Sequence, residues 1–353
     1  MFLAWHEMKY EKLRYGLIIT VIGLIAFLIF IISALALGLA HQNTAAIDSW
    51  HTKSALMNKD ANGNMGQSVM TESELAAQTQ NKQTAVVGIT PTNISKTHKS
   101  DRDAVQFIGI NSDEYIAQNL KLSKGHQPKH QNEVIISDKL SQYKVNDKIR
   151  IGLDDTEYTV SGVTPDALYN MAPVVYGNLK SWSPIKGINP TFKASGLISK
   201  SSASLKTNDK RLKVYDRQSY LNNLPGYTAQ KMTFIFMIVF LILISLIVVT
   251  IFLYILTIQK LPNLAVLRAQ GIPNRYLVQN TFNETLLIMI LAIGFGAVLT
   301  AVSAFFMPNS VPVYFDLPLM LGVAGGILGT GLLGSFIPMW VITKIDPVTV
   351  IGG

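Results

Sequence analysis

The sequence contains no cysteine in 353 residues. This absence excludes disulfides, thiolate metal sites, iron–sulfur clusters and cysteine nucleophiles, whatever the redox state of the compartment. Three catalytic signatures are also missing: the G-x-x-x-x-G-K-[ST] phosphate loop, the G-x-S-x-G nucleophile elbow and the H-E-x-x-H zinc motif. We therefore predict that the chain is not an enzyme on its own and that it has no intrinsic cofactor or metal.

Charge is the second scarce feature, since Lys, Arg, Asp and Glu make up 15% of the residues and the formal net charge is +8. Both signs are mixed along the chain, so we predict no nucleic-acid partner. His126 and His130 are four residues apart, but Pro128 between them prevents the helical turn that would bring both imidazoles to one metal ion. A solvated basic loop is the favoured interpretation.

Long uncharged apolar runs lie towards both ends of the chain, and a polar block lies between them. The first run, 16–40, would be roughly 37 Å long as a helix, enough to cross a hydrocarbon core about 30 Å thick. A cleaved signal peptide is the competing interpretation, but its apolar core is only about 7–15 residues. The predicted segments are a cytoplasmic lead-in (1–15), spans (16–40, 231–258, 281–307, 319–342), an inserted domain (41–230), a coupling segment (259–280), an external loop (308–318) and a tail (343–353).

The inserted block changes its periodicity along the chain. From His41 the first helix is expected to continue before loosening around Asn62-Gly63-Asn64. Short β-branched runs separated by polar turns then predict strands. These runs lie at 84–89, 104–110, 132–137, 148–153, 157–163 and 173–177, with a weaker one at 195–198. The fold class is therefore an α-helical membrane protein with four transmembrane helices and a large α+β extracytoplasmic domain inserted between helices 1 and 2.

Basic residues in the short segments predict the topology. They lie before the first span, between the second and third, and after the fourth, whereas the loop between the third and fourth has no Lys or Arg. Positive residues favour the cytoplasmic side, so both termini are expected inside and the large domain outside the cell membrane. The residues are Lys9, Lys12, Arg14, Lys260, Arg268, Arg275 and Lys344.

The segment 258–277 predicts a short amphipathic helix on the cytoplasmic side. Pro262 suits a first helical turn, Gly271 suits a left-handed C-cap, and Pro273 prevents continuation. The helix is too short and polar to span a bilayer, so a cytoplasmic partner is expected to dock there; an ordinary surface connector is the alternative. The candidate coupling residues are Leu261, Leu264, Leu267, Arg268, Gly271 and Arg275.

Small residues in the first and fourth spans predict close helix packing. Ala34 and Gly38 form one small-xxx-small pair, and Gly322, Gly326 and Gly329 belong to interlaced glycine spacings in the fourth span. Their partner is either this chain or a second copy of it. Glu284, early in the third span, is interpreted as an interfacial carboxylate near a positive helix end.

The span order and the segment LAVLRAQGIPNRYL resemble the permeases of the macrolide-exporter and FtsX-like superfamily of ABC proteins, the type VII transporters. NEVIISDKLSQYKVNDKIRIGL resembles that family's external strand pair, with Asn146 where a glycine is usual. The opening, E-x-x-x-x-K-x-R-Y leading to I-S-x-L-A-x-G-L-A, is most similar to the haem-efflux (HrtB-type) permeases of Gram-positive bacteria.

This resemblance implies a homodimer that works with two copies of a separate cytoplasmic ABC ATPase, which binds the ATP. It also implies efflux of an amphipathic substrate, with haem as the expected one, through a site at the outer ends of the first two spans. Iron is commonly held by His, Met or Tyr. The candidate substrate-binding residues are His41, Tyr169, Met171, Tyr227 and Met232.

Other functions remain open at this stage. Related permeases export antimicrobial peptides, antibiotics or lipids. An FtsX-like module would transmit force or report a peptide to an external or membrane partner without transport. A membrane enzyme is the least favoured alternative, because the sequence shows no catalytic constellation.

Overall fold

The structure is a computed structural model that describes residues 7–78, 81–97, 101–152, 156–308 and 311–344. The chain divides into two compact units: the membrane unit, Met1–Gly38 with Lys231–Gly353, and the sheet unit, Leu39–Gln230. Among the described residues, four helical stretches are long and apolar enough to cross a membrane. They are α1 (Lys12–Ser49), α6 (Tyr227–Ala269), α7 (Asn274–Phe306) and the consecutive helices α8 (Leu317–Gly334) and α9 (Phe336–Thr343).

The sheet unit is built on one mixed sheet, and its described residues also form four short α-helices. The helices are α2 (Glu72–Ala76), α3 (Tyr115–Asn119), α4 (Trp182–Lys186) and α5 (Arg217–Asn222). The strands are β1 (Ser54–Asn58), β2 (Met70–Thr71), β3 (Thr84–Lys96), β4 (Asp103–Ile110), β5 (Lys124–Gly125), β6 (Glu133–Ser137), β7 (Lys148–Ile151), β8 (Glu157–Thr164), β9 (Leu168–Tyr169), β10 (Ala172–Asn178), β11 (Phe192–Ala194), β12 (Gly196–Ser199) and β13 (Leu212–Asp216).

The main sheet has the order β13-β1-β12-β3-β4-β10-β6-β8-β5. β7 pairs with β3 and β8, and β9 pairs with β10; β2 and β11 form a separate pair. The β4/β10 and β6/β8 pairs are parallel, whereas the other pairs are antiparallel. The fold class predicted from the sequence, four transmembrane helices with an inserted α+β domain, is confirmed.

Each of the seven predicted β-branched runs overlaps a strand, but the sequence did not indicate β1. The residues 54–58 read SALMN, without β-branched residues, and the first helix was expected to continue here. α1 instead ends at Ser49, and β1 is buried along nearly its whole length between β12 and β13. Burial on both sheet faces explains why no polar alternation marks this strand.

Small residues allow close approach in the membrane unit. A β-carbon on Gly296 of α7 would lie 2.8 Å from the carbonyl oxygen of Gly23 in α1. Gly38 faces the backbone of Pro312 and Val313, and the Tyr314 N–H donates to the carbonyl of Ala34, 3.2 Å away. Ala34 and Gly38 therefore pack against the segment before α8.

The glycines of α8 that were predicted to pack against another helix have no such contact within the described chain. A β-carbon on Gly322, Gly326 or Gly329 would meet no described atom within 4 Å. Gly331 and Gly334, which the spacing did not single out, pack instead against Met289 and Thr250. Within the described chain, the glycine spacing of α8 therefore leaves an open face, and the glycine contacts begin two residues after Gly329.

The turn between α6 and α7 also differs from the sequence-based expectation. Residues 258–269 continue α6 instead of forming a separate helix, and Pro262 lies inside it. The predicted C-cap is present: Gly271 has φ +90°, its N–H donates to the carbonyl of Arg268, and the Ile272 N–H donates to that of Leu267. This is the Schellman pattern. Pro262 removes one helical hydrogen bond, and the burial of Ala265 in one core with Leu277 helps to offset that loss.

Candidate functional site

The outer candidate site is the two-residue turn between β9 and β10. Tyr169 pairs with Ala172, so Asn170 and Met171 alone connect the strands. Both have positive φ, 48° and 65°, as a type I′ turn requires. The turn is fastened to α1 through its backbone, because the Met171 N–H donates to the carbonyl of Gln42, 3.1 Å away. The turn is therefore held against the part of α1 that directly follows His41.

Met171 is an unusual occupant of this turn. Glycine is preferred at the position, and a side chain in the left-handed region costs about 1–2 kcal/mol. The Met171 side chain is nevertheless 51% exposed, so burial does not offset that cost. Strain kept at an exposed thioether indicates a functional requirement for the side chain.

His41 is held next to this turn by a carboxylate. Its Nε2 is hydrogen-bonded to Asp166 Oδ2, and Lys139 Nζ lies 3.8 Å from Asp166 Oδ1. The hydrogen bond from His41 holds the pKa of Asp166 below its usual range. The imidazole is partly exposed, and its orientation is fixed by a carboxylate that stays ionised at neutral pH.

The other tyrosine candidates have packing partners. Tyr169 is only 3% exposed, its hydroxyl lies 2.9 Å from that of Tyr220, and its ring stacks on Trp50 at 6.3 Å between centroids. Burial raises the pKa of Tyr169, so its phenol stays neutral. Contact between the Tyr169 hydroxyl and a substrate therefore requires this cluster to open. Tyr227 is partly buried against the same core.

A hydrogen bond joins the two ends of the chain segment that forms the sheet unit. Asn43 of α1 donates from Nδ2 to Gln230 Oε1 of α6, 3.1 Å away. Met232 follows two residues later, in the membrane unit, where it is 60% exposed. The structure thus joins the Met171 backbone to Gln42, the residue after His41, buries Tyr169 in the core of the sheet unit, and leaves Met232 of α6 exposed.

A second candidate site lies in the membrane unit and joins three helices. Lys260 Nζ of α6 donates to Glu284 Oε1 of α7 at 2.8 Å and to Glu7 Oε2 at 2.7 Å. The hydroxyl of Tyr15 in α1 is hydrogen-bonded to the same Glu284 oxygen. Lys260 Nζ also lies 5.4 Å from the centre of the Tyr15 ring. We call Glu7, Tyr15, Lys260 and Glu284 the inner polar cluster.

The inner polar cluster replaces the simpler interpretation of Glu284. An interfacial carboxylate would be solvated, but Glu284 is 5% exposed and the Lys260 side chain is 14% exposed. A buried pair is strongly destabilised when one partner is removed, because the other charge is left uncompensated. The cluster therefore fixes how α1, α6 and α7 are placed against each other.

The predicted coupling residues divide into two groups. Leu261, Leu264 and Leu267 are partly buried against a core of Ala265, Leu277 and Ile342, so their apolar side packs within the chain. Arg268 is partly buried, whereas Gly271 and Arg275 are exposed. The large exposed apolar side chains around the turn are Val266 (45%) and Tyr276 (52%), which sequence reasoning missed. The surface available to a partner is therefore the turn itself.

Comparison with protein families matches two domains along the chain. Residues 16–203, more than half of the chain, match the MacB-like periplasmic core domain. Residues 235–347 match the FtsX-like permease C-terminal domain. Of the inner polar cluster, Glu7 and Tyr15 lie outside both matches, and so do Tyr227 and Met232 among the predicted substrate-binding residues.

Individual relatives extend over the whole length. Proteins of Staphylococcus haemolyticus and Staphylococcus epidermidis are each 27% identical over 356 residues, which covers 100% of this chain and 99% of the relative. Both carry the name hemin transport system permease protein HrtB. Among solved structures, the extracellular domain of the ABC-type transporter YknZ from Gram-positive bacteria has a TM-score of 0.31 and 15% identity, covering 44% of this chain and 84% of that one.

Proposed function

Since the chain belongs to the ABC-transporter permease family that joins a MacB-like periplasmic core domain to an FtsX-like C-terminal domain, we propose that it expels haem from the outer leaflet of the cell membrane. It is the permease subunit, and ATP is hydrolysed by a separate ABC ATPase. Four apolar helices and the periplasmic family domain make it a membrane protein with an extracellular domain. Both termini are proposed to be cytoplasmic.

The observation that carries this proposal is the exposed Met171, which has a left-handed backbone and whose N–H is bonded to Gln42, the residue after His41. A thioether and an imidazole are both common axial ligands of haem iron. Haem is amphipathic, and His41 directly follows the apolar run 16–40, so a site here suits a substrate that partitions into the membrane. The full-length relatives named for hemin transport support the same substrate.

Haemin titration tests the substrate. The chain is co-purified with its ATPase in lipid nanodiscs, and the Soret band and ATP hydrolysis are recorded together. We expect a saturable Soret shift with stimulated hydrolysis, and we expect His41→Gln to weaken haemin binding about tenfold, because the amide keeps the Asp166 hydrogen bond and loses the iron ligand. His126→Gln, at an exposed histidine elsewhere in the sheet unit, is the matched control.

The contrary results separate the remaining alternatives. ATPase binding without any haemin response contradicts the haem assignment. Stimulation by antimicrobial peptides, antibiotics or lipids then identifies a different exported substrate. Stable capture of an external or membrane protein partner without substrate movement identifies a force-transmitting or peptide-sensing module.

The ATPase is proposed to act at the α6–α7 turn. Val266 and Tyr276 provide exposed apolar surface beside Gly271 and Arg275, the composition expected at a protein–protein contact. Closure of two ATPase subunits on ATP would press on this turn. The inner polar cluster connects α6 and α7 to α1 through hydrogen bonds. Movement of the α6–α7 helix pair would therefore be transmitted to α1.

We further propose that two copies pair through α6. Only 11% of the most apolar window of α6 is buried within the chain, compared with 50% for α1. Bulky side chains along α6 are exposed, among them Phe236, Phe240, Leu243 and Ile247. A second copy of α6 would cover this face in a two-fold arrangement, because the same surface is then used by both subunits.

Cysteine cross-linking tests the pairing cleanly, since the chain has no cysteine of its own. We expect at least one of Phe236→Cys, Phe240→Cys, Leu243→Cys and Ile247→Cys to form a disulfide dimer in native membranes. Residues near a two-fold axis approach their own copies closely enough for this bond. Val298→Cys, at an exposed α7 position, serves as the control. Monomer throughout the α6 series, or equal cross-linking at Val298, contradicts pairing through α6.

A further inference from the structure

A cavity of about 350 Å³ lies in the sheet unit where the ends of three strands meet. Ile110 is the last residue of β4, Asn178 is the last residue of β10, and Glu133 is the first residue of β6. All three residues line the cavity. Its volume falls within the range of small-molecule pockets, about 300–1,000 Å³.

The sheet divides at this cavity. β10 runs parallel to β4 as far as the pair of Asn178 with Ile110. Among the described residues, β10 pairs with β6 at two positions, 175 with 136 and 176 with 135. The start of β6 pairs instead with β8, where Glu133 lies opposite Thr159. The end of β10 and the start of β6 therefore separate and leave a crevice between them.

The connections that follow the two parallel strands lead to opposite faces of the sheet. Phe107 and Ile108 of β4 point to opposite faces, because neighbouring residues of a strand alternate. Ile108 shares a core with Tyr115 of α3, the helix after β4, whereas Phe107 shares a core with Trp182 of α4, the helix after β10. Open α/β sheets bind ligands in the crevice outside the carboxyl ends of the strands, where the connections diverge in this way.

Two opposite charges line the cavity without pairing with each other. Lys129 is exposed, and its ammonium group makes no ion pair or hydrogen bond with any described residue. Glu133 Oε2 accepts the backbone N–H groups of Lys129 and His130 at 2.6 and 3.4 Å, and no described residue is bonded to the other oxygen. The hydrogen bond from the Lys129 N–H holds the pKa of Glu133 below its usual range, so the carboxylate is ionised at neutral pH. The cavity thus offers a ligand one cationic and one anionic partner.

Side-chain amides add a neutral polar lining. Gln118 Nε2 donates to the carbonyl of Asp113 at 2.9 Å, and Asn178 Oδ1 accepts the Lys180 N–H at 3.0 Å. The Gln118 side-chain oxygen and the Asn178 side-chain nitrogen have no partner in the described part of the chain. One acceptor and one donor of this kind match a primary amide or another polar group of a ligand.

We propose that this cavity binds a free amino acid with a polar side chain. Lys129 pairs with its carboxylate, and Glu133 pairs with its ammonium group. Gln118 and Asn178 contact its side chain. Hydrogen bonds between charged groups are the strong ones, and a pair of opposite sign selects a zwitterion over a ligand with one charge. The inference goes beyond haem efflux and does not depend on it.

Isothermal titration calorimetry of the full chain in lipid nanodiscs tests the ligand class. The probes are L-glutamine, L-asparagine and L-alanine, and we expect saturable binding that is tighter for the two amides than for alanine. N-acetyl-L-glutamine lacks the ammonium group and L-glutaminamide lacks the carboxylate, so each should bind about tenfold more weakly than glutamine. Absence of saturable binding by all three amino acids overturns the proposal. Equal affinities for glutamine and its two blocked forms overturn recognition of a zwitterion, and equal affinities for glutamine and alanine overturn the side-chain contact.

Matched variants test the position of the site. Lys129→Gln is expected to weaken glutamine binding about tenfold, whereas Lys124→Gln, at an exposed lysine outside the cavity lining, should leave it unchanged. Glu133→Gln should also weaken binding, with the exposed Glu72→Gln as its control. In Lys129→Gln the preference for glutamine over L-glutaminamide should disappear, a result that general loosening of the loop would not produce. Unchanged affinity and preference in Lys129→Gln overturn the assignment of the carboxylate partner.

Discussion

Lys260→Met is expected to lower the free energy of unfolding by about 3–5 kcal/mol, the largest effect that we predict for any single substitution. The change removes the ammonium group that donates to Glu284 at 2.8 Å and to Glu7 at 2.7 Å. Glu284, which is 5% exposed, would keep only the Tyr15 hydroxyl, and an uncompensated buried charge is costly. Denaturant unfolding in detergent, followed by tryptophan fluorescence, measures the loss.

A double-mutant cycle isolates the pair from other effects of the substitution. Lys260→Met with Glu284→Leu is expected to recover most of the lost stability, because replacing both charges by apolar groups leaves nothing unpaired. Lys231→Met changes an exposed lysine of the same helix and is expected to shift stability by less than about 0.5 kcal/mol. Additive losses in the double variant would show that Lys260 and Glu284 do not act as a pair.

The position of this pair is partly contained in the sequence. Gly271 and Pro273 mark the turn, and Lys260 and Glu284 each lie 12 residues from Ile272. Two antiparallel helices joined by so tight a turn bring positions equidistant from it to similar depth, so pairing was predictable once α6 was allowed to continue through Pro262. Interpreting Pro262 as the start of a separate helix concealed the register between α6 and α7. That interpretation gave more weight to local helix-terminus preferences than to tertiary burial.

Other features could not be predicted from local patterns. The fold class followed from apolar runs and β-branched runs, which are strong periodic signals. β1 was missed because a strand buried on both faces shows no alternation. Trp50, Tyr115 and Tyr176 come from three distant stretches of sequence, and only the completed sheet brings them together in one core. The left-handed conformation of Met171 has no sequence signal either, since glycine or asparagine is what such a turn ordinarily contains.

Met171→Gly is expected to make the protein more stable and to weaken its binding of haemin. Glycine relieves the left-handed strain at φ 65°, so the free energy of unfolding should rise by about 1 kcal/mol after the greater chain entropy of glycine is included. Loss of the exposed thioether should raise the haemin dissociation constant about tenfold. Denaturant unfolding and haemin titration of the same preparation measure the two effects.

Two further substitutions in the same turn separate the effect of backbone strain on stability from the effect of the thioether on haemin binding. Asn170→Gly alters the other left-handed residue of the turn and keeps the thioether; asparagine tolerates this conformation, so little change is expected in stability or haemin binding. Met171→Leu keeps the strain and the apolar bulk but removes the sulfur, so it should weaken haemin binding without the gain in stability. Lower stability of Met171→Gly would contradict the strain argument, and unchanged haemin binding in both Met171 variants would remove the thioether from the substrate site. If Met171→Gly is more stable and binds haemin more weakly, binding of the substrate explains why the protein retains a strained methionine at this position.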